Sequence, residues 1–224
     1  MTVRIVKHFD ASLARPLHIL FRNCPQTGVY PSIWKHANVV PIHKKDAKNL
    51  KNNYRPVSLL SVFGKIFEKI IYDALYKHLN GHKLLSDKQS GFRKLDSPVN
   101  QLISVTHQIY KAFDEDPPLE VRGVFLDISK AFDKVWHEGL LFKLERSGIQ
   151  GLLLDLLRSY LSGRFQRVLL NGARSCWQPV LAGVPQGSIL GPLLFLVYID
   201  DLIADFRSDG RLFADDVSLF FHSA

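Results

Sequence analysis

The sequence predicts an α+β fold, on three observations. Segments with apolar residues at helical spacing fill much of the first half. Apolar, strand-like runs that carry acids stand at residues 121–128 and 211–221. An Asn171-Gly172 pair between two extended runs opens a hairpin, and hairpins make antiparallel pairs. With 224 residues and 46% hydrophobic side chains, the chain can bury the core of one large domain or two small ones.

The elements follow in order. Residues 11–27 carry Leu13, Leu17, Leu20 and Phe21 at helical spacing, with Pro16 expected in an early turn, where a missing N–H costs least, and Gly28 as the stop. Ala37 to His43 reads as a short strand, and Pro41 favours an edge position. A basic loop follows, through His43-Lys44-Lys45 and Lys48-Asn49-Leu50-Lys51. Read locally, Tyr54-Arg55-Pro56 is a surface stretch at a proline turn. Ser61 begins a helix whose Phe63, Ile66, Phe67, Ile70, Ile71, Leu75 and Leu79 form an apolar stripe expected in the core, stopped by Asn80-Gly81. Ser97-Pro98 supplies an N-cap and first helical position for a helix to about Phe113. Asp114-Glu115-Asp116-Pro117-Pro118 then breaks the chain, dividing residues 1–116 from 117–224.

In the second part, Val121 to Ile128 reads as a buried strand carrying Asp127. Two helices are expected, Glu138 to Ser147 and Gly151 to Leu161, separated by Gly148. Arg164 to Gly172 alternates as a strand and turns at Asn171-Gly172 towards Ser175 to Val180. Arg164 and Arg167 read either as nucleic-acid contacts or as the solubilising charges common at strand edges. The loop Gly183 to Gly187 contains glycines and a proline that let backbone approach a ligand closely, and a helix runs on from Ser188.

The candidate chemistry lies in three acids. Adjacent residues of a strand point to opposite faces, so Asp215 and Asp216 serve one site only from a tight turn between strands. Apolar runs on both sides are expected to draw that hairpin into a core, where charge is costly unless paired or metal-bound. Asp127 adds a third strand-end carboxylate. Hard divalent cations take oxygen ligands, and Mg2+ commonly uses one or two carboxylates while keeping waters and phosphates. Three such acids could hold two ions roughly 3.5–4 Å apart, the arrangement used for displacement at phosphorus. The plainer alternative is that Asp127 caps a following helix and Asp215-Asp216 simply makes a turn.

Phe213-Ala214-Asp215-Asp216 resembles the Phe/Tyr-X-Asp-Asp box of reverse transcriptases, and the segment from Val124 to Asp133 resembles their first acidic motif. Gly183-Val184-Pro185-Gln186-Gly187-Ser188 and the residues to Phe195 are similar to their Gln-Gly motif. Tyr54-Arg55-Pro56 and Gln89-Ser90-Gly91-Phe92-Arg93-Lys94 resemble two motifs of their fingers. The wording is most like that of LINE-type non-LTR retrotransposons, from about Leu13 onward.

This resemblance implies a right-hand polymerase: helical fingers with a small sheet over residues 1–116, and a palm with an antiparallel sheet over 117–224. It also implies that the palm is cut just after the Asp-Asp hairpin, with the thumb absent. Asp127, Asp215 and Asp216 become catalytic metal ligands for two Mg2+ ions, with Mn2+ as a substitute, Asp127 and Asp215 leading and Asp216 turned partly away. Arg55 is implied near the incoming nucleotide or template, and Arg93 by the template strand. Phe132 is implied under the sugar, excluding a 2'-hydroxyl, and Gln186 and Gly187 beside the templating base pair. Asp133 and Asp200-Asp201 are implied to lie outside the ligand set. The chain departs from the family at Leu95-Asp96-Ser97-Pro98, where Gly-Arg-Ser-Thr is usual, and Asp96 sets a negative charge where a basic residue would help hold phosphate. The implied partners are an RNA template, a DNA primer and dNTPs, and the implied location is intracellular, in the nucleus.

Bulk properties fit without deciding. Lys plus Arg outnumber Asp plus Glu by 29 to 21, a net +8 that suits a polyanion, although charge runs also make ordinary solvated faces. Cys24 and Cys176 match neither a zinc spacing nor a disulfide framework, which points to a reducing compartment. The longest apolar run, Ile189 to Ile199, falls short of the ~20 residues of a membrane span, and no signal peptide opens the chain, so no membrane partner is expected. The expectation is thus a reverse transcriptase fragment of weak or no activity, with oligomeric state open. Two alternatives remain: a nucleic-acid-binding remnant without catalysis, and an RNA-dependent RNA polymerase, against which Phe132 and Gln186-Gly187 argue.

Overall fold

The computed structural model describes residues 3–206 and 209–223. The chain runs through α1 (Val3–His8), α2 (Asp10–Thr27), β1 (His36–His43), β2 (Tyr54–Leu59), α3 (Val62–Gly81) and α4 (Pro98–Phe113). It continues through β3 (Glu120–Asp127), α5 (His137–Arg146), α6 (Leu152–Leu161), β4 (Arg164–Leu170), β5 (Ala173–Arg174) and β6 (Gln178–Val180). It ends with α7 (Leu190–Ile199), β7 (Asp209–Phe213) and β8 (Asp216–Ser223). The fold is α+β, as expected.

Helix ends obey local chemistry. The Ser97 hydroxyl accepts a hydrogen bond from the Asn100 N–H at 3.2 Å, with Pro98 opening α4. Ser61 caps α3 in the same way, accepting from the Gly64 N–H. Gly28 closes α2 with φ 67°, and a Cβ there would meet the Asp155 Cβ at 2.9 Å, because this end of α2 lies on α6. Pro16 lies in the second turn of α2, which starts at Asp10, one residue earlier than expected; the carbonyl it deprives of a partner, four residues back at Ser12, lies on an exposed turn.

The main core gathers Phe67, Ile71, Leu75 and Leu79 of α3, Leu140 and Leu144 of α5, and Leu156, Leu157 and Tyr160 of α6 around α7. Almost every residue of α7 is buried, so this helix is apolar all round. Ile66 and Ile70 are not core: they are 36% and 53% exposed. Each lies one residue, roughly 100° around the helix, from the buried Phe67 and Ile71. Arg164 matches neither sequence reading. It is 3% exposed, donates to the Tyr160 carbonyl at 2.9 Å and lies over the Tyr160 ring.

Two sheets flank this core. The first has five strands, ordered β2-β1-β4-β5 with β6 also on β4, and takes strands from both halves of the chain. It is mixed: β1 runs antiparallel to β2 and parallel to β4. Tyr54-Arg55-Pro56 is therefore strand, not a turn. β1 is internal, yet its ladder with β4 ends at Val39↔Val168, leaving Pro41 an edge on that side, opposite Pro56 on the other. Asn171 and Gly172 take φ values of 49° and 81° between Leu170 and Ala173, the double left-handed turn that a two-residue hairpin needs.

The second sheet is antiparallel and three-stranded, β3-β8-β7, with a small core of Ile203, Leu212, Val217 and Leu219. Here the expectation of a buried β3 fails. Val124, Phe125 and Leu126 are 41%, 74% and 47% exposed, because β3 is the outer strand, paired with β8 on one side and with α4 lying beside it. An apolar run signals which residues favour burial, not whether a layer covers them. Among the described residues no helix is long and apolar enough to cross a membrane.

Candidate active site

The β7-β8 hairpin closes at Phe213↔Asp216, leaving Ala214 and Asp215 as its loop. Ala214 adopts φ 55°, a left-handed conformation unusual for a residue with a Cβ. On the other side of β8, Asp216 stands directly opposite Asp127. The turn thus brings all three acids to one end of the sheet. That end is open and not interior: Asp127 and Asp216 are exposed and Asp215 half-buried, because β3 and the loop form the rim. Partial desolvation, then the charges of Asp215 and Asp127, push the Asp216 carboxyl above the ordinary range. The three acids therefore repel one another. Among the described residues no three His, Cys, Asp or Glu side chains close around a point that could hold a metal ion.

Behind the loop lies a contact that sequence reading missed. Gln89 is 1% exposed; its Oε1 accepts from the Gly91 N–H at 2.8 Å and the Ala214 N–H at 2.9 Å, and its Nε2 donates to the Ala214 carbonyl at 3.3 Å. Backbone bonds continue the contact, Leu212 N–H to the Lys88 carbonyl and Ser90 N–H to the Leu212 carbonyl. Gly91 presses so close that a Cβ would run into the Ala214 nitrogen. The only local signal was a glutamine and a glycine two residues apart. From the other side, the Asp200 carboxylate accepts from the Ser86 N–H with both oxygens, at 2.9 and 3.1 Å.

Gln186 and Gly187 occupy a loop pinned to β2 and to the turn after β3. The Ser58 N–H donates to the Gln186 carbonyl at 2.8 Å, and Gln186 Nε2 donates to Asp133 at 2.9 Å. Gly183 has φ 86°, and a Cβ there would meet the Asp133 backbone at 2.8 Å. The Val184 N–H donates to the Phe132 carbonyl at 2.8 Å, and Phe132 itself stacks on Phe195 with centroids 4.3 Å apart. Asp133 therefore serves as an anchor for Gln186. A cleft of about 380 Å³ lies beside this loop, lined by Lys35, Pro56, Ser58, Lys130, Asp133 and Gln186 among others; none of the three acids lines it.

The two predicted arginines are placed differently. Arg55 is exposed on β2, and strand alternation sets it on the face opposite Pro56 and Ser58 of the cleft. Arg93 is turned inward, donating to the Ser86 carbonyl at 3.0 Å. Asp96 is held locally: desolvation raises its carboxyl, but bonds from the Ser97 N–H and from Ser90 and Asn100, with Arg93 nearby, outweigh that and bring it below the usual range.

The family model of the reverse transcriptase (RNA-dependent DNA polymerase) matches residues 42–224. The chain belongs to this family. Among curated relatives of this reverse transcriptase chain, the probable RNA-directed DNA polymerase from transposon BS of Drosophila melanogaster is 35% identical over 92% of the chain and 24% of its own length. The RNA-directed DNA polymerase from mobile element jockey of the same organism is 38% identical, over 83% of the chain and 20% of its own length. The retrotransposon type of reverse transcriptase anticipated from the motifs is thus the one found, and the chain spans about a quarter or less of the length of these relatives. Among solved structures, apo telomerase from Candida tropicalis superposes with a TM-score of 0.63 at 10% identity, over 93% of the chain and 44% of that one. Telomerase from Candida albicans with a fragment of telomeric RNA gives 0.61 at 11% identity, over 86% and 39%. These likenesses concern the fold, that of reverse transcriptase fingers and palm.

Proposed function

We propose that the chain is the fingers and palm portion of an RNA-directed DNA polymerase of a non-LTR retrotransposon, joining dNTPs to a primer 3'-hydroxyl on an RNA template. The observation that carries this reading is the Asp-Asp loop set beside Asp127 in register, in a chain of the reverse transcriptase family. In this reading residues 1–116 are the fingers-like part and 117–224 the palm, with β4, β5 and β6 reaching back to the fingers sheet.

Asp127, Asp215 and Asp216 offer only oxygen donors, the type that Mg2+ or Mn2+ takes, and the raised Asp216 carboxyl marks a place where a cation would relieve repulsion. Two Mg2+ ions bound there would lower the pKa of the primer hydroxyl and neutralise charge on the triphosphate and its leaving group. The chain's own residues orient the reactants. Phe132, backed by Phe195, offers an aromatic wall to a sugar, and Gln186 and Gly187, fixed by Asp133 and Ser58, offer a floor to a base pair. Arg55 is free to meet phosphate from the outer face of β2, and Arg93 shapes the template side by ordering residues 86–93. A nuclear location and partnership with RNA, DNA and dNTPs belong to the same proposal.

The test is primer extension on an RNA template with dNTPs and Mg2+, comparing the chain with Asp215→Ala and Asp127→Ala. Synthesis by the first, at the weak level expected of a fragment, and its loss in both variants is the outcome that supports the reading, since positioning and charge neutralisation supply most of the rate. If folded protein shows no synthesis, while chain and Asp127→Ala bind RNA equally, a binding remnant is the better description.

A further inference from the structure

Resting on the reading of Asp127, Asp215 and Asp216 as the metal-holding acids, we propose that Gln89 is a positioning residue of that site. Its carboxamide takes the place of a strand partner for Ala214 and thereby fixes where the neighbouring Asp215 carboxylate stands.

A two-residue hairpin loop has a structural problem at its first residue. Ladder bonds end at the closing pair, so the N–H and carbonyl of that residue have no partner within the hairpin. In this loop the residue is Ala214. It is 7% exposed, so water does not readily satisfy it, and it holds a left-handed backbone that carries a cost for any residue with a Cβ. Gln89 answers both needs with one planar group, accepting from the Ala214 N–H at 2.9 Å and donating to the Ala214 carbonyl at 3.3 Å. A carboxamide is suited to this because it carries donor and acceptor in a fixed plane; a carboxylate lacks the donor and an ammonium the acceptor.

The clamp is itself rigid. The same Oε1 accepts from the Gly91 N–H at 2.8 Å, which ties the side chain to its own backbone. Gly91 fills the remaining space against Ala214, and residues 89 and 212 form a parallel bridge flanked by backbone bonds. Asp200, at the end of α7, holds the start of the segment through Ser86. The route from the helical core to the acid loop is therefore continuous, α7 to Ser86 to Gln89 to Ala214 to Asp215. Side chains that orient metal ligands without touching the ion commonly change metal affinity 10–100-fold on mutation.

The experiment follows Mn2+ binding to the 224-residue chain by electron paramagnetic resonance, for wild type, Asp215→Ala and Gln89→Leu, with thermal melts as a folding control. Leucine preserves volume and removes both the donor and the acceptor. A roughly tenfold or greater loss of Mn2+ affinity in Gln89→Leu, with a cooperative melt retained, is the expected result. Should Asp215→Ala lose binding while Gln89→Leu keeps wild-type affinity, the positioning role is overturned and the metal reading stands. Should Asp215→Ala bind like wild type, the metal reading falls and this inference goes with it. A second measurement needs no variant: the Ala214 amide of the wild-type chain should be protected from hydrogen exchange well beyond that of Asp215. Exchange of Ala214 at the free-chain rate overturns the clamp.

Discussion

At the scale of single residues, Glu68 shows how strongly burial can act. It is 1% exposed, and its Oε2 accepts from the Ile189 and Leu190 N–H groups at 2.7 and 3.2 Å, at the start of α7. Desolvation raises its carboxyl above the ordinary range, opposed by those two bonds and by the charges of Arg164 and Lys65. A folded-state pKa above the unfolded one means that folding favours the protonated form. The stabilisation is complete below the ordinary carboxylate pKa and is lost as pH rises through the raised value. Glu68→Gln should therefore show a smaller fall in Tm than wild type between mildly acidic and neutral pH, because its amide keeps an acceptor and never ionises. Glu68→Leu should cost roughly 2–4 kcal/mol at neutral pH by stranding the buried Leu190 N–H and the part-buried Ile189 N–H. Urea unfolding of both variants across that range checks this, and a leucine variant as stable as wild type would contradict it.

At the scale of elements, the Asp200 contact ties α7 to residues 86–91, and its removal should be felt there first. Asp200→Ala should cost about 1.5–3 kcal/mol, the range for a hydrogen bond to a charged acceptor, and raise hydrogen exchange at Ser86 to Gly91 more than in α5 or α6. Uniform change along the chain would mean that the contact is not local. The same elements show what a sequence can and cannot display. Ser61, Ser97 and Gly28 declared the helix ends, and Asn171-Gly172 and Phe213 to Asp216 declared two hairpins, because caps and turns are settled by neighbours in the chain. Pairing of β1 with β4, docking of Gln89 on Ala214 and burial of Glu68 depend on partners 121 or more residues away, and no local period encodes them. Ile66 and Ile70 show the converse: they belong to the apolar stripe of α3 but not to the core, since the width of the buried face depends on what packs against it. Of the site, the three acids were legible as a motif, while the side chain holding their loop was not.

At the scale of the molecule, the outer strand β3 presents exposed Val124, Phe125 and Leu126, and α4 exposes Val99, Leu102 and Ile103. An open edge with apolar side chains invites pairing with another copy. The chain should therefore self-associate with rising concentration, and Phe125→Lys should shift sedimentation towards monomer without lowering Tm, since Phe125 is 74% exposed. No change in sedimentation would locate the sticky surface elsewhere. The parallel pairing of β1 with β4 carries a different consequence, in time. Asn38 and Arg167 are joined by a hydrogen bond across 129 residues of chain. During synthesis at ~5–20 residues per second, β1 must wait roughly 6–26 seconds for its partner strand to exist. Through that interval a β1-β2 hairpin has both of its edges unpaired, and only the β1 edge is later covered, by β4.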